Sequence, residues 1–260
     1  MATLDLEATS SSSSPAAPPG VSHFHHTPCY CEENVYLLCK KLSEDGIAKS
    51  DGSDLYVVFV SNEKKQIPLW HQKASPRADG VILWDYHVIC VQKRKDSNLP
   101  HLVWDLDSSL PFPSPLATYV AETIRPSFQV FSEFQRFFRI VHAPIFLRSF
   151  ASDRRHMKDS AGNWISPPPS YEVIVAEDGT AHNLNEYMEM SSANVVKSVG
   201  LDTIDAVLTQ KLGVLLRVTA LPSRGMQRIM LQHENMAKTA YTLSYIGEEE
   251  VTDSGPIISI

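Results

Sequence analysis

The sequence predicts a mixed α/β (α+β) fold in which one helix is followed by antiparallel strands. Val35, Leu38 and Leu42 recur at helical spacing after Cys31, which is typical of a helix with one buried face. The β-branched and aromatic run Leu55–Val60 then indicates a buried strand. With 260 residues and a hydrophobic fraction of 43%, the chain is long enough to bury one sizeable core.

The start of the predicted helix carries a thiol. Thr27 is predicted to cap the helix and Pro28 to occupy its first turn, so that Cys31 also lies in the first turn. There the positive end of the helix dipole favours a thiolate. Cys29 precedes the helix, whereas Cys39 lies deep inside it and is predicted to pack in the core.

Two further strands are predicted, Val81–Val91 and Leu102–Leu106, joined by a polar connection of hairpin length. In the first strand Asp85 and His87 share one face, because successive side chains alternate across a strand. If the two strands pair antiparallel, His87 comes opposite Asp105 at cross-strand distance. We expect the preceding helix to dock on this same face.

A thiol, an imidazole and a carboxylate therefore occur in the order Cys31, His87, Asp105. This is the composition of a cysteine-nucleophile triad. Taken singly, each residue has a more ordinary interpretation, as a small buried side chain, a core histidine or a structural carboxylate. Because of their order and the shared strand face, the catalytic interpretation and the structural interpretation are equally well supported.

Other residues of the same types are less suited to these roles. His101 and His142 lie on no predicted apolar strand face beside a carboxylate, and Cys90 lies on the opposite face of its strand from the predicted base. Asp107 shares a face with Asp105 and remains an alternative partner for the imidazole. Asp105 is preferred because Asp107 is nearer the turn.

Charge and composition narrow the classes of function. The net charge of −7 argues against a nucleic-acid binder, which usually presents a basic face, and suits a partner with a free amino terminus. No apolar run is long enough to span a membrane. Four cysteines without a preceding secretory segment favour a reducing compartment, so we expect a cytoplasmic and also a nuclear location.

Residues 1–27 are predicted to form a disordered leader, because Ser10–Ser14 is a homopolymer and Pro15–Gly20 adds chain breakers. The three histidines at its end are interpreted as part of a solvated polar tail. A Cys-x-Cys pair without a second such pair has poor zinc spacing, so we expect no metal site.

Several motifs rich in Trp, Cys and His follow one another along the chain: Cys29–Asn34, Phe59–Glu63, Trp84–Val88, Asp105–Pro113, Phe150–Asp159, Gly162–Pro169 and Asn183–Asn185. In this order they resemble the protein N-terminal glutamine amidohydrolases. The resemblance is collinear from about Cys29 to Met190. Motifs of this length and composition rarely match by chance.

The resemblance implies a papain- or transglutaminase-like fold, with the nucleophilic cysteine at a helix N-terminus packed on an antiparallel sheet that carries the histidine and the aspartate. It implies conversion of an N-terminal glutamine to glutamate with release of ammonia, without a metal or organic cofactor. That glutamate is a substrate for arginylation in the N-degron pathway. The family's catalytic residues map by motif onto Cys31, His87 and Asp105. We expect a monomer that acts on proteins and peptides with an N-terminal glutamine.

Such an enzyme must distinguish an N-terminal glutamine from an internal one, so some group must recognise the free α-ammonium. A carboxylate is the simplest solution. Glu32, Glu33 and Asp85 are candidates because they lie beside the nucleophile and the base in sequence. Equally, the two glutamates are the exposed first-turn residues that a helix dipole favours.

After about Gly213 the chain departs from the pattern expected of the family, so residues 28–215 are interpreted as the catalytic domain and residues 216–260 as a divergent tail. Two other classes of function stay open. One is a different thiol hydrolase or transferase on the same scaffold, and the other is a catalytically impaired module that binds N-terminal residues. Peptide cleavage or amine incorporation would favour the first, and slow alkylation of Cys31 the second.

Overall fold

The computed structural model describes residues 19–96 and 98–217, which form a central antiparallel sheet with helices on both of its faces. The helices are α1 (Cys31–Glu44), α2 (Leu116–Tyr119), α3 (Ala143–Ser149), α4 (Leu184–Met188) and α5 (Leu201–Thr209). The strands are β1 (Leu55–Ser61), β2 (Ile67–Leu69), β3 (Ile82–Trp84), β4 (Tyr86–Gln92), β5 (Leu102–Trp104), β6 (Ser114–Pro115), β7 (Phe137–His142) and β8 (Val214–Arg217). The predicted mixed α/β fold with an antiparallel sheet is confirmed.

The main sheet has the strand order β6-β5-β4-β1-β7-β8, and β2 pairs with β3 in a separate two-stranded sheet. β1 is buried along its whole length because it lies between β4 and β7 and both of its faces are covered. Val57 and Phe59 pack towards α1, α3 and α4, whereas Tyr56 and Val58 pack towards α2 and α5. This alternation is the period of two that a strand imposes.

The helix α1 covers the sheet with the stripe that the sequence predicts. Val35, Leu38 and Leu42 are buried, and each such side chain stabilises the fold by about 1.5–3 kcal/mol. Cys39 is also buried, and its sulfur lies 3.7 Å from that of Cys90 on β4. The prediction that Cys39 packs in the core is confirmed.

The two predicted strands around the site are both shorter than expected. The predicted strand Val81–Val91 is broken at Asp85 into β3 and β4, which belong to different sheets. The Asp85 carboxylate accepts a hydrogen bond from the backbone N–H of Tyr86, and the Asp85 carbonyl accepts one from Ser61. These local bonds replace ladder bonds and end the strand. β5 ends at Trp104, because a turn follows in which the Ser108 N–H bonds to the carbonyl of Asp105.

Part of the predicted leader packs on the domain. Phe24 is buried, with its ring centroid 6.0 Å from that of Trp104 and 5.7 Å from that of Phe112. The prediction of disorder is therefore wrong for residues 19–27, because Phe24 is buried and because His23 and His26 bond Asp45 and Asp107. Residues 1–18 lie outside the described residues, as does most of the predicted tail, whose first two residues complete β8. No described helix has the length and apolarity needed to cross a membrane.

Candidate active site

The first residue of α1 is Cys31, and Tyr30 precedes it as the cap residue. The predicted cap at Thr27 is wrong, because Cys29 has a φ of 68°, a left-handed conformation that interrupts a helix. Thr27 is instead held by Asn34, whose side-chain oxygen accepts the Thr27 N–H at 2.8 Å and whose amide donates to the Thr27 carbonyl at 2.8 Å. Cys31 lies in the first turn as predicted, although the chain reaches it through a different turn.

An imidazole and a carboxylate are paired inside the domain. Nε2 of His87 lies 3.0 Å from Oδ1 of Asp105, and both side chains are buried. Tyr119 donates to Oδ2 of Asp105 at 2.7 Å, and the backbone N–H of Asp107 donates to Oδ1 at 3.0 Å. The predicted contact between His87 and Asp105 is confirmed, while the carboxylate of the alternative, Asp107, bonds His26 at 2.7 Å.

The pair is buried, and each partner favours the charged form of the other. Burial opposes the charged form of Asp105, but the His87 charge and three hydrogen bonds lower the pKa of this carboxyl below its ordinary value. Burial likewise opposes the imidazolium of His87, yet the Asp105 carboxylate outweighs it and raises the His87 pKa. The His87 ring stacks on Trp84 at 5.3 Å. The structure thus holds an oriented imidazole whose protonated form is stabilised.

The helix that carries the thiol lies on the other face of the sheet from His87. α1 packs against Val88 and Cys90, whereas His87 is in phase with Ile89, which faces the opposite cluster. The expectation that the helix docks on the face of His87 is therefore wrong. The register pairs Cys90 with Trp104, so the contact between His87 and Asp105 is diagonal rather than directly cross-strand.

The thiol of Cys31 reaches β4, the strand that carries His87, at an edge that β5 leaves open. β5 pairs with β4 only at Cys90, Val91 and Gln92, so the earlier residues of β4 have no partner in β5. The backbone N–H of Val88, one residue after His87, hydrogen-bonds the sulfur of Cys31 at this open edge. The short length of β5 therefore leaves the backbone of β4 open to a group from the helix α1.

The surroundings of Cys31 favour the protonated thiol over the thiolate. Burial, followed by the negative charges of Glu32 and Asp107, raises the pKa of the Cys31 thiol well above its ordinary value. The prediction of a thiolate favoured by the helix dipole is wrong, because desolvation outweighs the dipole. The sulfur lies 3.7 Å from Oε2 of Glu32, and Nδ1 of His87 has no hydrogen-bond partner among the described residues. Catalytic hydrogen bonds often form only with substrate present.

A pocket of about 310 Å³ opens beside Cys31, at the lower end of the range for small-molecule sites. Its lining combines the acidic side chains of Asp85 and Asp107, the imidazole of His156 and the apolar side chains of Met157 and Ile165. The thiol is therefore accessible from a space that suits a short side chain joined to a positively charged group.

The three carboxylates predicted to recognise an ammonium have different surroundings. Glu33 is buried and is bound by Arg154, which donates from Nε at 3.0 Å and from Nη2 at 2.9 Å. Asp85 lines the pocket and is exposed. Glu32 is fully buried, with Oε2 accepting from the Tyr86 hydroxyl at 2.8 Å. The interpretation of the two glutamates as exposed first-turn residues is wrong.

Potential metal ligands also meet at this site. Among the described residues, His87, Asp105 and Asp107 bring ligand atoms within 4.8 Å of one another. Nε2 of His87 and both Asp105 oxygens are already engaged in hydrogen bonds. His26 of the predicted leader bonds Asp107 at 2.7 Å, but among the described residues no cysteine belongs to this group. The arrangement suits an acid–imidazole pair, and the absence of a metal stays a prediction.

The sequence analysis assigned no role to several residues at the site. Tyr119 and Arg154 lie 14 and 121 residues from the carboxylates that they bind, and no local pattern relates positions so far apart. His156, whose Nε2 is 3.5 Å from Oε1 of Glu32, lies inside one of the long motifs. Trp84 also lies in a motif, but its stacking on His87 depends on the strand break that follows it.

Comparison with known proteins agrees with the resemblance noted in the sequence. A sequence model of the N-terminal glutamine amidase family matches residues 26–223. A protein N-terminal glutamine amidohydrolase of Arabidopsis thaliana is 66% identical over 200 residues, which cover 77% of this chain and 90% of that protein. Its namesake in Oryza sativa subsp. indica is 58% identical over 202 residues, covering 77% and 87%.

The similarity also extends beyond plants. A protein N-terminal glutamine amidohydrolase of Homo sapiens is 41% identical over 176 residues, which cover 68% of this chain and 82% of that protein. The family match continues past the predicted domain boundary at residue 215 to residue 223. It includes the helix start, the strands and the pocket described above. This chain belongs to the N-terminal glutamine amidase family.

Proposed function

We propose that the protein hydrolyses the side-chain amide of an N-terminal glutamine, giving an N-terminal glutamate and ammonia. The observation that carries this proposal is the buried pair of His87 and Asp105 next to a pocket that exposes the Cys31 thiol. The family model spans these residues, and relatives whose names state this activity are 66% and 41% identical to this chain. Cys31 is the nucleophile, His87 the acid and base, and Asp105 the group that orients the imidazole.

In the first half-reaction, the sulfur of Cys31 attacks the δ-carbonyl carbon, and its proton passes to Nδ1 of His87. The carbon–sulfur bond forms as the carbonyl π-electrons move to oxygen. Backbone N–H groups at the start of α1, including that of Cys31, stabilise this oxyanion, because the first N–H groups of a helix lack intrahelical partners. The carbon–nitrogen bond then breaks, and His87 returns the proton to the departing ammonia.

In the second half-reaction, water replaces ammonia beside the imidazole. His87 takes a proton from this water as its oxygen attacks the thioester carbon. The carbon–sulfur bond breaks, and the proton returns to the Cys31 sulfur, leaving a glutamate side chain. Asp105 stabilises the imidazolium in both halves, and its hydrogen bond from Tyr119 holds it in place. The balance is glutamine plus water to glutamate plus ammonia, with no cofactor.

The finer fold assignment and the cellular role belong to the same proposal. A helix that begins at its cysteine and packs on an antiparallel sheet, with a histidine on one strand and an acid directly after the next, supports a papain- or transglutaminase-like relationship. The glutamate product places the reaction before arginylation in the N-degron pathway, in the cytoplasm and nucleus. The protein acts on protein and peptide substrates as a monomer.

The experiment is ammonia release from two peptides that differ only in whether a glutamine is N-terminal or internal. We expect release from the first alone, and none from either peptide with Cys31→Ala. Cys39→Ala serves as the matched control, since it removes a buried thiol from the same helix and should keep activity.

Release from both peptides would point to a glutaminase without terminal specificity, and amine incorporation without free ammonia to a transferase. No release by the folded wild-type chain would refute the enzymatic proposal and leave a binding role. Retained activity in Cys31→Ala would refute the assignment of the nucleophile.

A further inference from the structure

A buried carboxylate next to the nucleophile has one oxygen without a partner. Glu32 is fully buried, and its Oε2 is used by the Tyr86 hydroxyl at 2.8 Å and the Cys31 thiol at 3.7 Å. Its Oε1 has no hydrogen-bond partner among the described residues. Buried polar atoms are almost always hydrogen-bonded, and an unpaired one indicates a missing donor.

The group facing this oxygen also lacks a hydrogen bond. Nε2 of His156 lies 3.5 Å from Oε1 of Glu32, and neither ring nitrogen of His156 has a hydrogen-bond partner in the described part of the chain. In a neutral imidazole one nitrogen is an acceptor. A carboxylate oxygen and an imidazole nitrogen at this separation form the base of a triangle that a donor at about 2.8 Å from each would complete.

The donor that fits carries several N–H groups and a positive charge. An ammonium has three donors and no acceptor, so it can bond both atoms at once and neutralise the buried carboxylate. The pocket bordered by Cys31, Tyr86 and His156 is also lined by Asp85 and Asp107, and its described lining includes no lysine or arginine. A cation is therefore attracted to the pocket, and an anion is repelled.

The proposed substrate carries such a group at the required reach. The α-nitrogen and the δ-carbon of glutamine are separated by about 5 Å in an extended side chain. This span is compatible with a thiol that lies 3.7 Å from the near oxygen of the same Glu32 carboxylate. Oε1 of Glu32 and Nε2 of His156 are both closed to solvent in the free protein, so the side chain of His156, which borders the pocket, has to shift for the ammonium to lie against the far oxygen while the amide carbon reaches the sulfur.

We propose that the α-ammonium of the substrate binds between Oε1 of Glu32 and Nε2 of His156, and that this contact neutralises the carboxylate to which the Cys31 thiol donates. Glu32 is then a specificity residue that also controls the nucleophile. In the free protein its charge, 3.7 Å from the sulfur, adds to the effect of burial in favouring the protonated thiol. With the ammonium bound, the thiol proton is free to pass to His87. The inference rests on the proposed function, and it links recognition of the chain terminus to the rate of attack.

The test compares two peptides whose first residue has the same carboxamide side chain, one with its α-amine and one with hydrogen in place of that amine. For the wild-type chain we expect kcat/KM to be about 10- to 100-fold higher with the amine, the usual range for a hydrogen-bonded charge. In Glu32→Gln this ratio should fall towards one. Glu44→Gln, which removes an exposed charge at the other end of α1, should leave the ratio unchanged.

A second measurement is independent of turnover. The rate of Cys31 alkylation by iodoacetamide in the substrate-free protein should rise in Glu32→Gln, because the negative charge beside the sulfur is gone. A variant that merely damaged the fold would instead lose activity on both peptides and melt at a lower temperature. If Glu32→Gln does not fold, His156→Ala provides the second variant, and its peptide ratio should fall at least severalfold.

Two results would overturn the inference. One is a folded Glu32→Gln protein that keeps the wild-type peptide ratio, which would mean that a protonated His156 alone completes the pair with Glu32. The other is an alkylation rate that does not rise. Failure of the proposed function gives a different outcome, since the wild-type chain would then release no ammonia from either peptide while the alkylation comparison could still be read.

Discussion

The ion pair between Glu33 and Arg154 should be one of the most stabilising side-chain contacts in the domain. Glu33 is fully buried and Arg154 is 5% exposed. Arg154 donates three hydrogen bonds to the carboxylate and two more to the carbonyls of Pro169 and Glu172. Its guanidinium also lies 4.9 Å from the ring centroid of Tyr171. Replacing Glu33 with Gln would remove the charge and leave these other contacts in place.

The expected magnitude follows from this geometry. Removing one partner of a buried ion pair costs about 3–5 kcal/mol, and the remaining contacts of Arg154 place the loss in the free energy of unfolding at the lower end, about 3 kcal/mol. For a domain of this size that corresponds to a decrease of about 6–12 °C in Tm. Because Arg154 anchors the loop that carries His156, KM for the peptide substrate should rise as well.

Urea unfolding followed by circular dichroism measures the loss. Glu186→Gln is the matched control, since Glu186 and Lys211 form an exposed pair at 3.1 Å, and such pairs contribute about 0–1 kcal/mol. The double variant Glu33→Gln/Arg154→Met should recover part of the loss, because no charge is then left buried. If Glu33→Gln costs no more than Glu186→Gln, the reasoning from burial and hydrogen bonding is wrong.

Three further predictions concern the pair of His87 and Asp105. Asp105→Asn should lower kcat by about 10⁴-fold. Because the carboxylate raises the His87 pKa, the same variant should shift the acid limb of the pH profile of kcat/KM to lower pH. An unshifted profile would contradict this coupling. Tyr119→Phe removes the 2.7 Å hydrogen bond to Asp105 and should lower kcat/KM about tenfold. The control Tyr36→Phe removes a 3.3 Å hydrogen bond to the carbonyl of Leu147 and should leave kcat/KM unchanged in the same assay. The pKa of Asp105 in the folded protein lies below its ordinary 3.8, so ionisation of this carboxyl stabilises the fold above that pH. This contribution is lost as the pH falls through the folded pKa. In acid titrations of the unfolding free energy, the difference between wild type and Asp105→Asn should therefore decrease over that pH range.

Local pattern predicted the elements of the fold well. The stripe on α1 and the β-branched run of β1 each bury side chains at the period that the sequence displays, and both elements formed as predicted. The predicted strand Val81–Val91 failed at Asp85, because an aspartate that accepts its neighbour's N–H competes with the sheet ladder. The period of hydrophobic residues predicts which face of a strand each side chain occupies, but it carries no information about such a local hydrogen bond.

The site was predictable in composition but not in arrangement. Strand phase brought His87 and Asp105 together in the sequence interpretation, and the structure has them in contact. The same phase argument placed Cys31 on the wrong face, since it assumed a continuous sheet and β5 ends at Trp104. The electrostatic state of Cys31 was also missed, because desolvation depends on tertiary packing that a helix position does not reveal. Partners distant in sequence, such as Tyr119, give no signal in a single chain.

The length of β5 has a consequence for how this fold tolerates change. An unpaired strand edge normally invites another strand, and here a sulfur occupies it beside the N–H of Val88. One more residue pair in the ladder between β4 and β5 would extend the pairing from Cys90 to Ile89 and begin to cover the open edge of β4 where the sulfur lies. We therefore expect a longer β5 to lower activity even with Cys31, His87 and Asp105 all intact. Distinguishing active from inactive members of this fold therefore requires the length of β5 as well as the identities of the site residues.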